Sequence, residues 1–136
     1  MMKKYLGLVV VLILSAVLFG ACNKERNAPL MTFKPGANYV IEDNPLAKVN
    51  TKYKIGITAA PGNGDFLLGS FKLKRKYNDD SEQVLEAVTI FGPQQYNYDR
   101  DFEFTTRSQV GVELYTFEIT DKDGKTKTLS IKLTTH

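Results

Sequence analysis

Five stretches of this chain alternate apolar and polar residues with a period of two. Tyr53, Ile55, Ile57 and Ala59 alternate with Lys54, Gly56 and Thr58. Phe71, Leu73 and Tyr77 alternate with Lys72, Lys74 and Lys76, and Phe102 and Phe104 with Asp101, Glu103 and Thr105. Tyr115, Phe117 and Ile119 alternate with Thr116, Glu118 and Thr120. Leu129, Ile131 and Leu133 alternate with Ser130, Lys132 and Thr134. A strand sends successive side chains to opposite faces, so each run predicts a strand with one dry and one wet face. Such sheets bury their apolar faces against one another. With no convincing long helix, the pattern predicts an all-β antiparallel sandwich.

Turn chemistry separates the runs. "PGNGD" at 61–65 is built of turn residues. "FEITDKDGKTKTLSI" joins two alternating runs around Asp123-Gly124, a strong hairpin signal because the turn needs positive φ at the glycine. Tyr39 to Ile41 reads as a first short strand, ended by the turn "EDNPL". "DDSEQVLEAVTIF" at 79–91 has two readings. Asp80 or Ser81 could cap a helix with Val84, Leu85 and Val88 on one side. Its strand-like spacing between neighbours favours a strand over 84–91 instead. About seven strands result.

The N-terminus, MMKKYLGLVVVLILSAVLFGAC, sets Lys3 and Lys4 before an uncharged apolar run, then Gly20-Ala21 before the only cysteine, Cys22. That is the layout of a secretory signal peptide. The run is short of the ~20 residues of a membrane-spanning helix. A lone free thiol is out of place in an oxidising compartment, and acylation would consume it. Residues 1–21 are thus expected to be a cleaved lipoprotein signal peptide. Residues 22–36, with Pro29 and Pro35, are expected to form the lipidated N-terminus and a flexible tether. The domain is expected over 37–136. Lipid at Cys22 is expected to hold the chain to the membrane, in the cell envelope. Without Lys3 and Lys4 the net charge of +3 falls to near neutrality, which gives no electrostatic case for nucleic acid.

The segment ending at Cys22 resembles a bacterial lipoprotein signal, with Phe19 where the box usually has leucine. "GVELYTFEITDKDGKTKTLSIKLTT" resembles the closing strands of immunoglobulin-like or PKD-like domains in small Bacteroidetes lipoproteins. The resemblance implies an immunoglobulin-like β-sandwich on an outer-membrane, periplasmic or surface-exposed protein. "NKE" after Cys22 resembles that phylum's surface-export signals. Under this fold Tyr115 is either a tyrosine-corner residue tying the chain between sheets or a plain core tyrosine.

Catalysis fails on inventory. The one histidine is His136, and there is no second cysteine for a Cys/His or zinc cluster. No enzyme activity and no cofactor are expected. Asp121 and Asp123 make a weak calcium candidate that lacks the later acceptors of a calcium loop, so no metal is expected. Lys72, Lys74 and Lys76 read as a solvated face paired with Glu118 or Glu113. The suggestive stretch is "FGPQQYNYDRDFEF". Phe91, Tyr96 and Tyr98 lie beside Gln94 and Gln95, and aromatic faces with amides nearby can grip sugars or peptides. Two functions stay open: a non-catalytic module for protein interaction or surface presentation, or a glycan-binding surface lipoprotein using the loop 91–98.

Overall fold

The computed structural model describes residues 27–62 and 66–136, so Cys22 and the signal segment 1–21 lie outside the described residues. Its strands are β1 (Leu30–Phe33), β2 (Asn44–Ala47), β3 (Lys52–Ala60), β4 (Leu68–Tyr77), β5 (Gln83–Thr89), β6 (Tyr98–Thr105), β7 (Gly111–Asp121) and β8 (Thr126–Thr135). They form a three-stranded sheet, β1-β3-β6, and a five-stranded sheet, β2-β8-β7-β4-β5. All neighbours are antiparallel except β2 and β8, which are parallel. The N-terminal edge is thus split between the sheets, β1 in one and β2 in the other. This is an immunoglobulin-like sandwich, as the sequence pattern and the resemblance led us to expect.

The alternation works as the period dictates. Ile55 and Ile57 of β3, Phe71 and Leu73 of β4, Phe102 of β6, Phe117 and Ile119 of β7, and Ile131 and Leu133 of β8 are all buried. An aromatic stack spans the sheets: Phe102 lies 5.5 Å from Phe71 and 5.7 Å from Phe117, and Phe117 meets Phe33 edge-on at 5.8 Å. On the wet face Lys74 reaches Glu118 at 2.8 Å and Glu82 at 3.2 Å. Those hydrogen bonds, Glu118 first, hold the Lys74 ammonium above the ordinary lysine pKa.

Two expectations need correction, and the open choice at Tyr115 falls to a core tyrosine. The tether does not extend to residue 36, because Leu30–Phe33 form β1, with Met31 buried and Phe33 on the core. Flanking Pro29 and Pro35 and a length of four residues hide this strand in the sequence. Tyr39–Ile41 is not a strand. Gly36 and Tyr39 close a turn, and Val40 makes a single backbone bond to Lys54 O. Tyr115 does not tie itself to backbone as a corner tyrosine does. Its hydroxyl donates to Glu113 Oε2 at 2.9 Å, and Glu113 Oε1 accepts the Arg107 N–H at 3.0 Å.

The helix-or-strand question at 79–91 resolves as strand. β5 forms the edge of the larger sheet, with Leu85 an extra residue between the pairs Leu73↔Glu86 and Lys74↔Val84. The hairpins sort the connections between two ends. One end holds 61–62, 66–67, 90–97 and 122–125, with Leu30 at the start of β1 opposite Ala60. The other holds 48–51, 78–82 and 106–110, with His136.

Candidate functional site

Phe91, Gln94, Gln95, Tyr96 and Tyr98 were expected to form one grip, and the structure divides them. Ile90 is buried and Phe91 is extended, so Phe91 continues the outward row of Ala87 and Thr89 and stands 73% exposed. Gly92 follows at φ +61°, in the left-handed region that glycine enters without strain. Pro93 then opens a single 3₁₀ turn, Gly92–Gln95, closed by the Tyr96 N–H on Pro93 O at 3.1 Å. Gln95 Nε2 braces the turn on Ile90 O at 3.2 Å. Gln94 is exposed, and Tyr96 is 64% exposed. The result is a stiff turn that holds two aromatic rings in solvent.

Tyr98 is not part of that surface. It is the first residue of β6, 2% exposed, with its ring 5.3 Å from Phe71. It shares strand parity with Phe102 and Phe104, a signal present in the sequence. Its hydroxyl accepts from Arg100 Nη1 at 3.0 Å, and burial raises its pKa. Arg100 also pairs with Glu86 at 2.9 Å, joining the edges of the two sheets. Beside the outward row, Ser70, Lys72, Thr89, Glu118 and Thr120 line a polar groove of about 240 Å³ on the larger sheet.

The calcium candidate is used otherwise. Asp121 is 6% exposed, and its Oδ1 accepts the N–H groups of Asp123 and Lys125, each at 2.9 Å. That carboxylate organises the hairpin turn around Gly124, which sits at φ +90°. Among the described residues no three His, Cys, Asp or Glu side chains are grouped to hold a metal ion.

Two polar clusters escaped the sequence reading. On the outer face of the smaller sheet Asp101 accepts from Lys34 at 2.8 Å and from the Tyr39 hydroxyl at 3.1 Å, and pairs with Lys54 at 3.2 Å; Lys34 also pairs with Asp99. These bonds, Lys34 first, lower the Asp101 pKa to about 2. They fasten the 34–41 segment to β3 and β6. At the far end of the sandwich, Glu113 is fully buried between Tyr115 and Arg107 N–H. Arg107 stacks its guanidinium 3.1 Å from the centre of the Tyr77 ring, whose hydroxyl bonds Gln109 O at 3.0 Å.

No protein-family model matches the chain, and no curated protein matches it in sequence. Among solved structures it is similar to a superoxide reductase (neelaredoxin) from Ignicoccus hospitalis. The identity is 9%, with 81% of each chain covered and a TM-score of 0.52. A variant of that protein aligns at 12% identity over 82% of each chain, with a TM-score of 0.53. At these identities the likeness is one of fold. The CARDB domain of a Pyrococcus furiosus protein aligns at 15% identity, covering 82% of this chain and 93% of its own, with a TM-score of 0.45.

Proposed function

We propose that this protein is a lipid-anchored module of the cell envelope that works by presenting and binding, without catalysis. The observation that carries the reading is the combination of a lone cysteine behind a signal-like run with a strand that enters the sandwich eight residues later. Lipid on Cys22 would then root the domain through β1. The one histidine, His136, sets its Nε2 2.8 Å from Pro45 O. Intact mass of the chain made in its host tests the anchor. The expected product starts at Cys22 and carries acyl mass, and Cys22→Ser moves the chain from the membrane to the soluble fraction. A retained 1–21 segment, or an unmodified thiol, overturns the reading.

The glycan reading retains one specific observation. Phe91 continues the outward row of Ala87 and Thr89, which line the groove with Ser70, Lys72, Glu118 and Thr120, and an exposed ring in that row is suited to stack on a sugar. Gln94 and Tyr96 remain available beside it, Gln95 is engaged with Ile90, and Tyr98 belongs to the core.

A further inference from the structure

We infer that the end of the sandwich bearing the β5–β6 turn is a membrane-docking surface whose partner is the bilayer that holds the lipid of Cys22. This rests on the anchoring reading above. Met31, Ala59 and Tyr98 pair in one row across the smaller sheet. Leu30 lies one residue beyond that row and Tyr96 two residues beyond it, toward the same end. Phe91 lies two residues past the end of β5 at that end, because Thr89 pairs with Ser70 near the start of β4.

The chain therefore arrives from Cys22 at the end that displays its exposed aromatics. Leu30 is 61% exposed, Phe91 73% and Tyr96 64%. The β7–β8 turn adds exposed Lys122, with Lys127 just beyond it, at the same end. The opposite end exposes Asp79 and Asp80 beside Lys48 and Arg107, so the aromatic rings and the tether, not the net charge, distinguish the two ends.

Length fixes the orientation. Eight residues from Cys22 to Leu30 reach at most about 28 Å when fully extended. The ten-residue strands of the larger sheet are themselves about 33 Å long. A lipid in the bilayer thus keeps the Leu30 end near the surface and holds the opposite end away. Aromatic rings with a polar edge settle at the headgroup level of a membrane, and lysines favour anionic headgroups. One acyl chain binds reversibly, so a second contact of this kind strengthens the anchor.

The chain contains no tryptophan, so a single introduced tryptophan reports alone. Phe91→Trp, Tyr96→Trp and, at the opposite end, Val110→Trp all replace exposed side chains and leave the core intact. The acylated full chain is placed in vesicles of phosphatidylethanolamine with a minority of phosphatidylglycerol, carrying brominated acyl chains. Tryptophan at 91 and 96 is expected to shift to the blue and to be quenched severalfold more than at 110. Equal quenching at all three sites, or none at 91 and 96 in chains that float with the vesicles, overturns the docking surface and leaves the aromatic turn to a glycan or protein ligand. Chains that lack acyl mass on Cys22 and fail to float overturn the anchoring reading and this one with it.

Discussion

Glu113→Ala removes the acceptor on which one corner of the sandwich converges. The Glu113 side chain is fully buried, and it accepts from the Tyr115 hydroxyl at 2.9 Å and from the Arg107 N–H at 3.0 Å. Alanine leaves both donors without a partner. Each buried donor left unmet costs about 1–3 kcal/mol. The Tyr115 hydroxyl is inside the core, whereas the loop carrying Arg107 is exposed and can turn its N–H to water. We therefore expect a loss of about 2–4 kcal/mol, a large part of the ~5–15 kcal/mol that holds a typical domain.

Tyr115→Phe removes one donor and should cost less, about 1–2 kcal/mol. If the two side chains act as a unit, the double variant loses less than the sum, by about 0.5 kcal/mol or more. Urea unfolding followed by circular dichroism measures all three. Tyr115 adds a pH signature. Burial first, and Glu113 next, raise its hydroxyl well above the ordinary tyrosine value. The unfolded chain then ionises first, so stability is present below about pH 10 and lost as pH rises beyond it. Tyr115→Phe should remove that alkaline loss. A Glu113→Ala midpoint within about 0.5 kcal/mol of the parent, at unchanged m, is the size of a surface substitution and would refute the reasoning.

Two further outcomes follow from named contacts. Asp101, with a folded pKa of about 2 against an ordinary 3.8, contributes stability above pH 4 that is lost as pH falls toward 2; Asp101→Asn should be less stable at pH 6 and show a flatter acid limb in a pH series of thermal melts. Gly124 sits at φ +90°, so Gly124→Val should destabilise the domain by about 1 kcal/mol or more, and an unchanged denaturant midpoint would count against strain at the turn.

The central strands were legible because their signal is local. Each of β3, β4, β7 and β8 has enough residues for period two to show, and the Asp123-Gly124 turn announces its hairpin. β1 was not legible, since four residues between prolines gain strand character only by pairing with Ile57 to Ala60 of β3. The Asp101 cluster joins residues from separate elements that only the topology brings together. The candidate site was half legible. Phe91 and Tyr96 stood out as aromatics in a Gly-Pro turn, but Tyr98 belonged to the parity of the strand that follows. Glu113 was missed although it shares the dry parity of Tyr115, Phe117 and Ile119, because a glutamate is read by residue type as solvent-facing.

The parallel pairing of β2 with β8 sets an order of events in folding. β2 is made early, and among the described residues its sheet neighbour is β8, 79 or more residues later in the chain. β8 also lies inside the larger sheet, between β2 and β7, so that sheet cannot be completed until β8 has emerged. Contacts between distant parts of a chain form slowly, since the intervening loop must close first. A chain read as exported benefits from this delay. Under the export proposed above, the larger sheet would close only after β8 had followed the earlier strands across the membrane.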